Sequence, residues 1–229
     1  CITHLKQDII QNRMTKAKYS QLKKFFAQFP VKKFAKNEVI FSPGDKLEDI
    51  YFMKSGFVRA YTKTPFGENT LNLFKPLFMV SVMHNMVNQR NDLYIQTLTP
   101  VEIYIAPKKQ FDKFQNENPE IANLVMEFFT GSLLRYLTNQ GNIINGNAIN
   151  KVASVLLQLV HDYGDVKNDQ LVVNFPATHR IVANIVGLTR ETTSVQMSKL
   201  QKLGVISTKR TQFTVKNIEK LKALADLGE

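Results

Sequence analysis

The stretch Thr178 to Asn217, THRIVANIVGLTRETTSVQMSKLQKLGVISTKRTQFTVKN, restricts this chain more than any other. Thr178 stands ahead of an apolar-periodic run, Ile181, Ile185 and Val186; Gly187 follows, then Thr189 ahead of a second run, Val195, Leu200 and Leu203. A hydroxyl residue just before a periodic run marks a helix start, because its oxygen satisfies a backbone N–H that the first turn leaves unpaired. Glycine between two short runs permits the tight turn of a helix-turn-helix. Gly204 closes the second run, and Ile206, Phe213 and Val215 flank the polar tip Lys209-Arg210-Thr211-Gln212, the pattern of a small hairpin, or wing. An ordinary helical hairpin with a strand pair beside it would satisfy the same spacing. Charge separates the two readings. Residues 176–216 hold 7 Lys and Arg against 1 acidic residue, the excess expected where phosphates dock.

The 229 residues give room for one large or two small domains with real cores. An apolar content of 44% and a charged content of 21% are globular values, and no run approaches the ~18 apolar residues of a membrane span. The sequence starts at Cys1 in place of Met, which leaves room for residues ahead of it, and shows no charged-then-apolar leader. One cysteine makes no internal disulfide, which fits a reducing cytoplasm, and falls short of the roughly four ligands of an iron–sulfur cluster. The formal net charge of +11 is unevenly placed: residues 1–40 carry 9 basic against 2 acidic residues, while 41–150 balance at 10 against 10. The first patch reads as a solvated helical face with lysine stems on it.

Residues 5–29 show helical spacing through Leu5, Ile9, Leu22, Phe25, Phe26 and Phe29, ended by Pro30. From Val31 to Ala106 short β-forming runs follow: 38–41, 50–53, 57–61, 71–74, 93–96 and 101–105. Pro43-Gly44-Asp45, Ser55-Gly56 and Pro65-Phe66-Gly67 punctuate them. Strands at such spacing predict a sandwich or barrel of the jelly-roll type. A helix predicted from about Pro119 to Gln140 carries two apolar stripes, one through Ile121, Val125 and Phe128, the other through Met126, Phe129, Leu133 and Leu137. A helix covered on one side needs only one stripe, so the second is expected to pack on the same helix of a partner subunit. Gly141 to Asn147 is polar and glycine-punctuated, the expected hinge; an amphipathic helix through Val152 to Val160 and a short strand at Leu171–Val173 follow.

This order of parts resembles the Crp/Fnr family of bacterial transcription regulators. Two segments carry the resemblance. Ile40 to Arg59, with Pro43-Gly44-Asp45 and Ser55-Gly56-Phe57-Val58-Arg59, is similar to the family's strand–PGD–strand–SGxVR signature. Ile185-Val186-Gly187-Leu188-Thr189-Arg190-Glu191-Thr192 is similar to its helix-turn-helix core. The implied architecture is an α+β fold in three parts. Residues 1–118 would form a double-stranded β-helix (jelly roll) sensor domain resembling cyclic-nucleotide-binding domains. Residues 119–146 would be the dimerisation helix and hinge, with Val125, Phe128, Phe129 and Leu133 at the dimer contact. Residues 147–229 would form a winged helix-turn-helix DNA-binding domain.

The resemblance also assigns roles. The helix after Thr189 would be the recognition helix in the major groove, with Arg190 reading guanine and Glu191 accepting from a cytosine amine. Relatives with the fullest motif carry a second arginine four residues after the glutamate; here that position is Val195. Operator choice then falls to Thr192, Thr193, Ser194 and Val195, with Thr193 and Ser194 the added base readers. Thr178, His179, Arg180, Thr189, Lys199, Lys209 and Arg210 are the expected phosphate contacts.

The sensor half departs from the relatives that bind cyclic AMP. Their Gly-Glu pair falls at Ser81-Val82, and their Arg-Ser pair at Asn91-Asp92, where a carboxylate repels a phosphate. A different small-molecule effector, or none, is expected; its pocket would draw on Phe78, Val80, Ser81, Val82, Asn91, Asp92, Leu133 and Leu137. No cofactor or metal is implied: His4, His84, His161 and His179 make no ligand motif, and no GxSxG or P-loop suggests an enzyme. The leading expectation is a cytoplasmic, homodimeric regulator on a pseudo-palindromic operator in double-stranded DNA, meeting RNA polymerase if it activates. The alternative is a ligand sensor whose winged domain makes protein contacts.

Overall fold

β-Branched and aromatic residues dominate the N-terminal strands, and their alternation decides which side each strand buries. A computed structural model describes residues 19–65, 67–81, 90–167, 170–209 and 212–225 of the chain; inside one long helix the side chains of 132, 135, 138, 139, 142 and 143 lie outside the description. The helical spacing expected before residue 19 therefore lies outside the described residues. What is described divides into two compact units, one within Lys16–Phe129 and one within Thr130–Glu229.

The first unit opens with helix α1 (Ser20–Phe26) and continues through β1 (Val31–Phe34), β2 (Val39–Phe41), β3 (Asp49–Ser55), β4 (Val58–Thr64), β5 (Gly67–Phe74), β6 (Tyr94–Thr97) and β7 (Val101–Pro107). Helix α2 (Lys108–Glu117) and the long helix α3 (Pro119–Asn145) follow. Antiparallel pairing gives a three-stranded sheet, β1-β7-β3, and a four-stranded sheet, β2-β6-β4-β5. Met53, Val101 and Ile103 from the first sheet meet Val58, Ala60, Phe74 and Ile95 from the second in one buried cluster, the interior of a jelly roll. Along β3 the intervening residues Ile50 and Phe52 face the other way, into a second cluster with Leu22 and Phe26 of α1, Phe111 of α2, and Ile121, Leu124 and Val125 of α3. Phe26 stacks on Phe52 at 4.3 Å between ring centroids, tying α1 to the sheet.

The turn motifs recognised in the sequence hold the sheets in register. Ser42 N–H donates to Asp45 Oδ2 at 2.7 Å, closing the Pro-Gly-Asp turn, and Gly44 N–H donates to Asn91 O at 2.7 Å. Gly56 has φ +87°, and a Cβ there would lie 2.4 Å from Pro100 O, so neither the angle nor the space admits a side chain. Arg59 is nearly buried on the outer face of the four-stranded sheet. Its Nε donates to Gln96 Oε1 at 3.0 Å, Glu68 pairs its guanidinium, and it lies 4.0 Å from the Tyr61 ring centre.

The second unit is built on helix α4 (Ala148–Tyr163), whose Val152, Val155, Leu156, Leu159 and Val160 are buried. Around it lie β8 (Gly164–Lys167), β9 (Gln170–Val173), α5 (His179–Val186), α6 (Arg190–Lys202), β10 (Ile206–Lys209), β11 (Gln212–Val215) and α7 (Ile218–Ala225), the strands ordered β10-β11-β9-β8. Ser154 Oγ and Asn150 Nδ2 each donate at 3.0 Å to the last carbonyls of α7, those of Ala225 and Leu224. These bonds satisfy acceptors a helix end leaves open.

Two expectations are corrected. The hinge expected across Gly141–Gly146 is mostly helix, because α3 runs through Gly141 to Asn145. A Cβ at Gly141 would meet nothing within 4 Å, so glycine there is only a tolerated helix residue. The break is at Gly146-Asn147, where the Asn147 side chain accepts from Ile149 N–H and Asn150 N–H, and Asn150 answers with a bond from Asn147 N–H. Val125, expected at a dimer contact, is only 3% exposed and packs in its own unit. Phe128 and Phe129 are half-buried with their rings edge-on to Phe78, at 5.1 and 6.3 Å. The free stripe of α3 is the second one, without Phe129: Met126, Leu133 and Leu137, joined by Ile144, are each more than half exposed. With Thr130 and Gln140 they alternate steps of four and three residues, the seam of a coiled coil.

Candidate nucleic-acid interface

Two threonines start the two helices of the motif. Thr178 Oγ1 accepts from Ile181 N–H at 3.2 Å at the head of α5. Thr189 Oγ1 accepts from Thr192 N–H at 3.1 Å and donates to Thr192 Oγ1 at 2.9 Å at the head of α6. Between them Gly187 sits in the left-handed region at φ +67°, where a side chain is strained, and this residue turns the chain from α5 into α6. Val182, Ala183 and Val186 of α5 and Met197 and Leu200 of α6 are buried, so the helices are fixed to the unit by one side each. After α6 the chain turns at Gly204, and β10 and β11 pair antiparallel from Ile206↔Val215 to Lys209↔Gln212. That hairpin is the wing.

The outward side of α6 is polar and cationic. Arg190, Glu191, Val195, Ser198, Lys199 and Lys202 are exposed, and Ser194 is half-exposed. Glu191 lies in the first turn, where a carboxylate complements the helix dipole. His179 is half-buried; Arg180 on α5 and Lys209 on the wing are exposed. The structure thus brings Arg190, Glu191, Ser194 and Lys199 onto the exposed side of one helix, while Arg210 lies outside the described residues. Ser198 and Lys202 belong to the same surface and were missed in the sequence reading. They follow Ser194 and Lys199 by one helical turn, a spacing that points to them.

Thr193 is the correction here. It is 0% exposed, facing inward beside Met197 and Leu200, and its hydroxyl has no hydrogen-bond partner among the described residues. A side chain enclosed by its own domain does not reach a base edge. The effector-pocket expectation also changes. Ser81 Oγ donates to Asp49 O at 2.7 Å and accepts from Tyr51 N–H, while Asn91 Nδ2 donates to Ser42 O at 2.8 Å and its Oδ1 accepts from Leu93 N–H. Both side chains pin backbone. Phe78 and Val80 fill the core, Asp92 is exposed, Leu133 and Leu137 are exposed on α3, and Val82 lies outside the described residues.

A winged helix-turn-helix with a basic outward helix, on one chain with a seven-stranded double sheet and a long helix, defines a sensor-type DNA-binding regulator. Residues 31–118 match the family model of the cyclic nucleotide-binding domain, and residues 150–224 that of the Crp-like helix-turn-helix domain. The chain belongs to the Crp/Fnr family of transcription regulators. It is 26% identical over 214 residues to the global nitrogen regulator of Synechocystis sp., covering 92% of this chain and 95% of that protein. It is 23% identical to the fumarate and nitrate reduction regulatory protein of Yersinia pestis, covering 85% and 78%. Among solved structures, FixK2 from Bradyrhizobium japonicum matches with a TM-score of 0.76 at 18% identity, covering 88% of this chain and 99% of that one. A CooA variant from Carboxydothermus hydrogenoformans matches at 0.72 and 21% identity, covering 89% and 90%. Regulators of this family bind DNA as dimers. No helix among the described residues is long and apolar enough to cross a membrane.

Proposed function

We propose that this chain acts in the cytoplasm as a homodimer on a pseudo-palindromic operator, each subunit laying α6 in one of two successive major grooves. The observation that carries this reading is the exposed α6 surface, where Arg190, Glu191 and Ser194 stand together above a buried apolar side. Arg190 has the five-donor fork that pairs guanine O6 and N7, and Glu191 the acceptor for a cytosine amine. Thr178, His179, Arg180, Thr189, Lys199 and Lys209, with Arg210 next to Lys209 in the sequence, are the phosphate partners that fix register without reading sequence. The coiled-coil seam of α3 supplies the dimer contact, with Leu133 and Leu137 at its centre. Cyclic AMP does not suit the sensor unit. Ser81 and Asn91 are engaged with backbone, and Asp92 would set a negative charge beside a phosphate. If the regulator activates, it meets RNA polymerase when bound.

Selection of bound sites from random duplex DNA, followed by titration of the enriched duplex, tests the proposal. Enrichment of a two-fold symmetric sequence, with half-sites about one helical turn apart, is the expected result. Equal binding of every duplex would remove it.

A further inference from the structure

Val195 has no evident task in the protein's own packing. It is 62% exposed on α6, while Thr193, Met197 and Leu200 fill the inward side of the same helix. Valine is β-branched and among the weaker helix formers, so helix stability does not account for it there. Its neighbours on the surface are Ser194, Ser198, Lys199 and Lys202, with which it lines a shallow open depression. It is a bare hydrocarbon at the centre of a polar, cationic surface, one turn after Glu191.

We propose that Val195 is a specificity-determining residue that packs on the C5-methyl group of a thymine in the operator half-site. This rests on the DNA-binding reading above and says which base that reading leaves open. The chemistry of the groove selects the partner. Of the groups that base edges present in the major groove, the thymine methyl is the one hydrocarbon group; the rest are hydrogen-bond donors and acceptors and the small C5–H of cytosine. Valine has nothing to offer a donor, an acceptor or a phosphate oxygen, and it gains only from burial against hydrocarbon. Where relatives with the fullest motif carry arginine, this chain has a side chain with no donor at all, which leaves it a methyl-reading surface. The selected operator therefore carries thymine, not guanine, at the base pair below Val195.

The test uses the full chain and the duplex enriched from random DNA, with each thymine of a half-site replaced in turn by deoxyuridine, which deletes only the methyl. Burying one methyl-sized group corresponds to about fourfold in affinity, so one position should lose about fourfold per half-site and about 15-fold when both half-sites are changed. Val195→Ser should remove the difference between thymine and uracil at that position alone, and Val195→Thr, which keeps a methyl, should retain it. Val195 is exposed, so both variants should keep the parent's circular dichroism spectrum. If Val195→Ser leaves the same uracil penalty at every position, or the parent shows none, the assignment to Val195 is wrong while DNA recognition stands. If no duplex is enriched at all, both proposals fall together.

Discussion

Arg190 and Thr193 lie one turn apart on α6, yet Arg190, at the first position of the helix, is exposed while Thr193 is enclosed, and the difference can be measured. Arg190 is exposed, so Arg190→Ala should leave stability unchanged, yet cost roughly 1–3 kcal/mol of binding per half-site at the selected operator and relax preference at one base pair of each. Thr193 is enclosed with an unpaired hydroxyl, an arrangement that costs stability because water is lost and nothing replaces it. Thr193→Val keeps the shape and removes the hydroxyl. Its urea midpoint should rise, by about 1 kcal/mol of stability, with no change in the DNA sequence selected. Loss of operator preference in Thr193→Val would restore Thr193 to the reading set. In one dimension threonine is an ambiguous letter: Thr178 and Thr189 cap helices as the periodicity implied, whereas Thr193 is polar in composition and interior in place.

At the scale of elements, the exposed stripe of α3 makes the firmest claim. Met126, Leu133, Leu137 and Ile144 leave four large apolar side chains on a surface that water would otherwise cover. Each is partly covered in its own chain, so burying the rest against a second copy of the helix is worth about 1–2 kcal/mol apiece. Leu133→Asp combined with Leu137→Asp should therefore give a monomer by light scattering with an unaltered circular dichroism spectrum. Affinity for a two-half-site duplex should fall by about a hundredfold or more, since the second half-site would no longer be tethered to the first. A dimer that survives both substitutions would place the contact elsewhere. The two stripes of this helix were legible in its sequence, and Met126, Leu133 and Leu137 of the second are exposed; Val125 was misplaced at the dimer contact, because periodicity shows that it is apolar and leaves open which surface covers it. Other elements divide along the same line. β2 to β7 announced themselves through β-forming runs and turn residues. β1 did not, because Val31-Lys32-Lys33-Phe34 sets two lysines between its only apolar residues. Helix α7, eight residues long, owes its place to Leu221 packing in the unit and to the donors from Asn150 and Ser154. Gly141 pointed to a hinge because glycine usually breaks helices, and the surrounding turns of α3 carry it through.

Over the whole molecule, charge separates the two ends of the chain by task. The excess of +11 resides in two stretches, residues 1–40 and 176–216, with the middle neutral. Among the described residues, the second stretch coincides with the exposed side of α6 and the wing strands. Binding that releases counterions should make log K fall linearly with log salt, by about 0.9 for each phosphate neutralised. In a dimer each phosphate contact occurs twice, so Lys209→Ala, on the exposed wing strand, should flatten that line by about 1.8 and weaken all sequences alike. Lys23 and Lys24 are equally exposed, on α1 in the first unit. If the N-terminal patch is a solvated face, Lys23→Ala with Lys24→Ala should leave the slope unchanged. A flatter slope in that double variant would show the first unit touching the backbone of the DNA as well, and the operator contact would then extend beyond the winged helix-turn-helix. Measuring both variants from about 50 to 200 mM salt, where six to ten phosphate contacts change affinity by 10³–10⁵, resolves differences of this size.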